Sequence, residues 1–221
     1  MRVAGADRDS IGAYQGTRIR SFLERHADAF RGDVLDYGCG ASPYEDIVVQ
    51  AGARYHPYDR PYFPGGMRGS ASLGPADPLR RSWDGILCTQ MLQLVPDPWE
   101  LIDRFARALL PRNGCLVLTY ATNWDEVLAE DLMRFTNAGM TRALSAAGFE
   151  IEAHERLGVI EIGDFSFPLD NGVVAHPSRR NRARRRSRRR IRRIIEALPR
   201  GEHAVYRLRQ LEAKGKSAVR R

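Results

Sequence analysis

Residues 34–40 are the stretch that most narrows the folds open to this chain. Val34 and Leu35 are apolar and lead directly into the turn Gly38-Cys39-Gly40. A short apolar run before such a turn predicts a buried parallel strand. Glycines allow a sharp turn and let a ligand lie against bare main chain. The stretch therefore predicts a ligand site at the carboxyl edge of a parallel sheet.

The residues after this turn are typical of a helix start. Ser42 is a capping residue type, Pro43 suits the first helical position, and Glu45 and Asp46 place acids in the first turn. A strand, a glycine turn and a helix together predict a site for a nucleotide-like ligand. Because Pro43 stands where the dinucleotide fingerprint has its third glycine, the pattern argues against NAD.

Four later segments extend the pattern in a fixed order. They are YHPYD at 55–59, WDGILCT at 83–89, QMLQLVPDP at 90–98 and LLPRNGCL at 109–116. Together with VLDYGCG at 34–40, they resemble the motifs of class I S-adenosylmethionine-dependent methyltransferases, such as V-L-D-x-G-C-G, E-V-L-E-H-V-P-D-P and L-x-P-G-G-x-L. The resemblance covers residues 34 to 120. It implies methyl transfer with S-adenosyl-L-methionine as the cofactor and no metal.

The resemblance also implies an α/β fold of the Rossmann-like methyltransferase class, with a largely parallel seven-stranded sheet and helices on both faces. We expect strands at 34–37, 54–59, 83–89, 114–120, 149–157 and 204–211 and helices at 10–30, 44–52, 98–110 and 138–147. The last strand is expected to return antiparallel beside 114–120. The family's third strand and its adenine contact fall in 60–82, where Ser70, Ser72 and Leu73 are candidates.

The cofactor-binding residues follow from these motifs. Asp36, at a strand end, suits the ammonium side of the cofactor, and Gly38-Cys39-Gly40 suits its amino acid end. Asp59 suits two ribose hydroxyls, since one carboxylate accepts two hydrogen bonds. The resemblance adds Thr89 and Gln90 to the site. The alternative is that Asp36 only caps a turn and that Asp59 is a solvated loop acid.

A general base is harder to identify. An acceptor hydroxyl must lose a proton, usually to His or a carboxylate. Leu94 stands where the family pattern has His, so that base is absent. Four acids follow the strand at 114–120, namely Asp125, Glu126, Glu130 and Asp131. Asp131 is our catalytic candidate because it aligns with the family's acid, and the alternative is a solvated acidic loop.

Residues 130–149 give the one indication of the acceptor. Arg134-Phe135-Thr136 and Gly148-Phe149 match D-x-W-R-[FY]-T-x-x-G-L…L-x-x-A-G-F, a pattern of methyltransferases associated with glycan or surface-polysaccharide tailoring. Leu132-Met133 depart from it. The resemblance implies O-methylation of a sugar, a glycan or a related small metabolite.

The net charge of +8 is unevenly distributed. Residues 177–200 contain twelve Arg and one acid, so the rest of the chain is mildly acidic. Apolar residues at 191, 194, 195 and 198 predict a basic amphipathic helix, inserted between the last two strands. Residues 178–193 bind nucleic acid phosphates, lie on an anionic membrane surface, or form a solvated face packed on the domain.

These observations divide the chain into an N-terminal helical cap at 1–32, a methyltransferase domain at 33–176 and 201–212, an Arg-rich insertion at 177–200 and a basic tail at 213–221. Two other functions stay open at this point. The chain is a nucleic-acid methyltransferase that uses the Arg-rich segment for phosphate contacts, or a non-catalytic scaffold that keeps the fold.

The cysteines and the hydropathy pattern bear on location. Cys39, Cys88 and Cys115 all fall in or beside predicted strands, which indicates buried reduced thiols of a cytoplasmic protein. No apolar run is long enough for a transmembrane helix. We therefore expect a cytoplasmic protein, peripheral to a membrane if the Arg-rich segment binds one.

Overall fold

A computed structural model describes residues 8–59, 77–123, 131–162 and 164–178. All of them belong to the first of two compact units, Met1–Ser178. The second unit, Arg179–Arg221, lies outside the described residues, and so does the predicted adenine contact in 60–76. Of the helices in the described ranges, none is both long and apolar enough to cross a membrane.

Six strands form one mixed sheet. They are β1 (Asp33–Tyr37), β2 (Arg54–Tyr58), β3 (Gly85–Thr89), β4 (Cys115–Ala121), β5 (Phe149–Ile162) and β6 (Phe165–Pro177). Their order in the sheet is β2-β1-β3-β4-β6-β5. β2, β1, β3 and β4 run parallel to one another, whereas β6 runs antiparallel to both β4 and β5. The sheet is largely parallel, as predicted, but the described residues supply six strands and not seven.

Helices cover both faces of this sheet. They are α1 (Arg8–Arg25), α2 (Glu45–Gln50), α3 (Pro98–Leu109) and α4 (Asn137–Ala147). Phe22 of α1 and Val48 of α2 are buried with Val34 of β1 in one core layer. Phe105 of α3 and Leu144 of α4 are buried in the other layer. The three layers form the Rossmann-like α/β arrangement that the motifs predicted.

The prediction for the strand beside β4 was wrong. β4 is paired on one edge with β3 and on the other with β6, so the place predicted for residues 204–211 is taken by β6, and residues 204–211 themselves lie outside the described residues. β5 and β6 follow each other as one hairpin, so the Arg-rich segment does not separate them. The sequence Asp170-Asn171-Gly172 is typical of a turn, yet it lies within β6. Packing explains the difference, because a Cβ on Gly172 would lie 2.7 Å from ring atoms of Phe22.

Two helix boundaries also differ from the prediction. Ser42 is not a helix cap, because α2 begins at Glu45 after Tyr44 and Ser42 adopts a left-handed φ of 56°. Its amide donates to the Cys39 carbonyl at 2.8 Å, so the glycine turn continues through Ser42. α1 ends at Arg25, and His26 instead places its Nε2 2.6 Å from Oε1 of Glu155 on β5.

Charged groups at the amino edge of the sheet are paired. Oδ1 of Asp33 lies 2.9 Å from both Arg54 Nε and His56 Nε2. Hydrogen bonds from Arg54 and then His56 hold the pKa of Asp33 well below its usual range. Arg112 donates to Asp84 at 2.7 Å on the same edge. This edge is therefore a set of satisfied ion pairs and presents no candidate site.

Candidate active site

The glycine turn at the carboxyl end of β1 is bonded to the end of β2. The amides of Gly38 and Cys39 donate to the carbonyl of Tyr58 at 2.8 and 3.2 Å. The amide of Gly40 donates to Oδ2 of Asp59 at 2.9 Å. The two motifs that the sequence assigned to the cofactor are therefore in direct contact.

Gly38 and Gly40 both have a positive φ but different surroundings. A Cβ at Gly38 would lie 2.3 Å from Cγ of Met91, in the loop after β3. At Gly40 a Cβ would meet no atom within 4 Å. Gly38 is therefore needed for the turn to pack against the next loop, whereas Gly40 leaves room for a ligand against the main chain.

Asp36 is fully buried at the end of β1. Its Oδ2 accepts a hydrogen bond of 2.7 Å from the Tyr55 hydroxyl on β2. Its Oδ1 is buried and has no partner in the part of the chain that the structure describes. Burial raises the pKa of Asp36 to about 7, the Tyr55 hydrogen bond opposes the rise, and the charge of Asp59 adds to it. A cationic group beside Oδ1 would favour the ionised carboxylate.

Thr89 and Gln90 lie at the carboxyl end of β3. Thr89 pairs with Thr119 of β4, and the amide of Gln90 donates to the Thr119 carbonyl at 3.2 Å. Gln90 has a φ of 50°, a conformation that costs free energy for a residue with a side chain. Its Nε2 also donates to Thr119 Oγ1 at 3.2 Å. Backbone strain of this kind clusters at functional sites.

Cys39 lies inside the turn. Its side chain is buried, and Sγ donates weakly to the Gly40 carbonyl at 3.6 Å. Burial raises the pKa of its thiol to about 11, so the group stays protonated near neutral pH. Its predicted place in the cofactor site stays a prediction. Cys88 and Cys115 are also buried and unpaired, as the sequence indicated.

Asp131 forms a bidentate ion pair with Arg134. The distances are 2.5 Å from Oδ1 to Nη1 and 2.8 Å from Oδ2 to Nη2, and the Asp131 side chain is 5% exposed. The segment is held at the carboxyl edge, because the Leu132 amide donates to the Gln93 carbonyl at 2.8 Å. The base role of Asp131 stays a prediction. Asp125, Glu126 and Glu130 lie outside the described residues.

The sequence analysis missed several polar residues at this edge. Gln93 is 7% exposed, Asn171 is fully buried, and Asp170 accepts from Gln15 of α1 at 3.1 Å. Asn171 donates to Thr122 Oγ1 at 2.6 Å. Asp170 and Asn171 belong to no motif of the sequence, and they reach this edge because β6 pairs with the end of β4. Gln93 could have been identified from the sequence, since it stands where the family pattern has an acid.

Buried polar atoms without partners in the described ranges share one location. They are Asp36 Oδ1, Ser42 Oγ, Gln93 Oε1 and Asn171 Oδ1. All four residues follow or flank the carboxyl ends of β1, β3 and β4. Leaving a buried polar group unpaired costs about 1–3 kcal/mol, so such groups call for a ligand that supplies the missing partners. Within those ranges no three His, Cys, Asp or Glu side chains are arranged to hold a metal ion.

Comparison with known proteins agrees with this geometry. A family model described as a methyltransferase domain matches residues 11–154, which include the glycine turn, Asp59, Gln90 and Asp131. Among curated protein sequences, none matches the chain significantly.

Solved structures share the fold at low sequence identity. Magnesium protoporphyrin IX methyltransferase from Synechocystis, with bound S-adenosylhomocysteine, is 15% identical with a TM-score of 0.52, over 79% of this chain and 90% of that one. A methyltransferase from Archaeoglobus fulgidus is 14% identical with a TM-score of 0.52, over 77% and 100%. The 1,6-didemethyltoxoflavin-N1-methyltransferase of Burkholderia thailandensis is 17% identical with a TM-score of 0.51, over 80% and 93%.

Proposed function

Because the chain belongs to the methyltransferase-domain family, we propose that it uses S-adenosyl-L-methionine to methylate a hydroxyl oxygen of a small acceptor. One observation carries the cofactor assignment. Oδ1 of Asp36 is buried and lacks a hydrogen-bond partner, beside a glycine turn that leaves open space at Gly40. An amino acid end with an ammonium group supplies the partner that this oxygen lacks.

The residues at the edge fit the other parts of the cofactor. Asp59 accepts from the Gly40 amide at the turn, and a carboxylate has about four lone-pair positions. It suits the ribose hydroxyls. Gln90 and Thr89 close the site from the end of β3. The Tyr55 hydroxyl orients Asp36, so the carboxylate is fixed before a ligand enters.

The chemistry requires alignment more than covalent assistance from the protein. S-adenosyl-L-methionine, when bound, would supply an electrophilic methyl group: the acceptor oxygen would bond to the methyl carbon as the carbon–sulfur bond breaks, and the electron pair of that bond would stay on sulfur. The chain's own residues hold the two reactants in line and exclude water. The entropic cost of bringing the reactants together is then met by binding and does not add to the barrier of the chemical step. The acceptor proton leaves to a base, for which Asp131 is the proposed residue.

The proposed acceptor is a sugar, a glycan unit or a related hydroxylated metabolite. Support comes from the segment 131–136, whose pattern residues have defined roles. Arg134 binds Asp131, and Thr136 caps α4 by accepting from the Gly139 amide at 3.1 Å. The segment lies at the carboxyl edge, where an acceptor must enter. Structural neighbours act on other acceptors, including a porphyrin and a didemethyltoxoflavin, so their names do not narrow the class.

The experiment that tests the function is transfer of a labelled methyl group. Purified protein is incubated with methyl-labelled S-adenosyl-L-methionine and a small-molecule extract, and labelled products are separated and identified by mass spectrometry. We expect a product heavier by one methyl group with the parent and not with Gly38→Val. Absence of any such product with the parent, in extracts of polar and of lipid metabolites, would contradict the proposal.

A further inference from the structure

Gln93 is a carboxamide whose orientation is fixed by its neighbours. Its Nε2 lies 2.8 Å from the Gln90 carbonyl oxygen and 3.4 Å from Gln90 Oε1. The Gln90 carbonyl can only accept a hydrogen bond, so the nitrogen of Gln93 must face it. Oε1 therefore points elsewhere, and it is buried with no hydrogen-bond partner among the described residues. This oxygen can therefore accept a hydrogen bond from a ligand.

Gln93 is bonded to an apolar, exposed strip of the same edge. Its carbonyl accepts from the Leu132 amide at 2.8 Å, and the Leu132 side chain is 53% exposed. Trp99, at the start of α3, is 50% exposed and packs edge-to-face on Phe135 with ring centroids 5.8 Å apart. Leu132 and Phe135 belong to the segment that holds Asp131. Ligand sites combine apolar side chains with a few fixed polar groups, which is the combination that Leu132, Trp99 and Gln93 offer.

We propose that Gln93, Leu132 and Trp99 bind the acceptor, and that the acceptor is a ring with a hydroxyl group on an otherwise apolar face. The hydroxyl donates to Gln93 Oε1 in the bound complex, before its proton leaves to the base, and the apolar face lies on Leu132 and Trp99. Two ring types share this chemistry, a phenolic ring and a deoxysugar ring, whose axial hydrogens present an apolar face to an aromatic side chain. The inference rests on the proposed methyl transfer, since it names the acceptor of that reaction.

The test is ligand binding measured by NMR on the full chain saturated with S-adenosylhomocysteine. The probes are phenol, its methyl ether anisole, and methyl α-L-rhamnopyranoside. We expect the Leu132 amide and the Gln93 side-chain resonances to shift saturably with phenol. Phenol should bind about fivefold more tightly than anisole, which corresponds to one neutral hydrogen bond of about 1 kcal/mol. The affinities of phenol and of the rhamnoside are compared, and the tighter ligand shows whether the acceptor is an aromatic ring or a sugar.

Variants test whether Gln93 causes the preference for phenol over anisole and whether Trp99 contributes to the binding of both. Gln93→Met, which is similar in size but has no acceptor oxygen, should abolish the preference for phenol. Trp99→Ala should weaken phenol and anisole equally. Gln50→Met is the matched control, because Gln50 is exposed at the end of α2, and it should behave as the parent does.

Three results would overturn the inference. They are equal affinities for phenol and anisole in the parent, a preference that survives in Gln93→Met, and no saturable shift with any of the three probes. Failure of the parent to bind S-adenosylhomocysteine at the start would instead contradict the proposed function, so the two failures are distinguishable.

Discussion

At the scale of single residues, Asp36 links burial to ligand binding. Its folded pKa of about 7 lies above its ordinary value of 3.8, so the folded state holds the proton more tightly than the unfolded state. The contribution to stability is therefore fully present below pH 3.8 and is lost as the pH rises to about 7. Above that pH the folded protein contains a buried carboxylate, and a cationic ligand stabilises its charge.

Asp36→Asn should separate the effect of the buried charge on stability from its effect on ligand binding. The Tm of the variant relative to that of the parent should increase from pH 4 to about pH 7, because asparagine has no charge to bury. Over the same range the affinity of the parent for S-adenosylhomocysteine should rise as Asp36 ionises, and that of the variant should stay low and flat. Thermal melts and calorimetry at several pH values measure both. A parent affinity that is independent of pH would argue against an Asp36 contact with the ligand's ammonium.

The motif residues of the site were predictable from the sequence, and their partners were not. Asp36, Gly40 and Asp59 follow from spacing within known motifs. The hydrogen bond from Tyr55 to Asp36 depends on the register of β2 beside β1, where residue 55 pairs with residue 34. The unpartnered oxygen of Gln93 depends on the loop geometry after β3. Contacts of this kind arise from tertiary packing, which local sequence does not determine.

At the scale of elements, β6 shows packing prevailing over local turn preference. Asp170-Asn171-Gly172 resembles a hairpin turn, but the chain turns earlier, between Ile162 and Phe165. Gly172 pairs with Thr119 of β4 and lets Phe22 approach the sheet. The side chains of Asp170 and Asn171 are buried at the site. A glycine and two polar residues therefore occupy a strand for reasons that only the packed structure supplies.

Gly172→Ala tests this close contact. The added methyl group would lie 2.7 Å from the buried ring of Phe22, and overpacking of this kind costs about 1–3 kcal/mol. The matched control is Gly16→Ala in α1, where a Cβ meets nothing within 4 Å and where helix propensity favours alanine by about 1 kcal/mol. Denaturant unfolding should therefore show opposite signs for the two variants. Equal stabilities for Gly172→Ala and the parent would mean that Phe22 does not pack on this strand.

At the scale of the whole molecule, the basic character belongs to residues 177–200 and the catalytic unit is mildly acidic. The described unit ends in fixed contacts, since the Ser178 amide donates to the Gly148 carbonyl at 2.8 Å and its hydroxyl donates to Glu150 at 2.5 Å. We propose that residues 178–193 bind a polyanion. The fold class was predictable at this scale because motif order fixes it, whereas the site location stays a prediction. The place of β6 was not predictable, since the motifs do not determine which later strand pairs with β4.

Truncation after Ser178 tests the polyanion proposal. The shortened chain should keep its Tm and its affinity for S-adenosylhomocysteine, because the contacts of Ser178 remain. The full chain should bind a short DNA duplex or vesicles containing phosphatidylglycerol at low salt, with affinity that falls steeply as salt rises, and the truncated chain should bind neither. Failure of the full chain to bind either polyanion would remove the proposal.

Calorimetric titration with S-adenosylhomocysteine measures whether this carboxyl edge of the sheet binds the cofactor. We expect the parent and Gly16→Ala to bind with equal affinity. Gly38→Val should nearly abolish binding, since its side chain would collide with Met91 and strain the turn. Asp59→Ala should weaken binding by roughly 1.5–3 kcal/mol, the range for lost hydrogen bonds to a charged group. No binding by the parent, or unchanged binding by both site variants, would contradict the assignment of this sheet edge as a cofactor site.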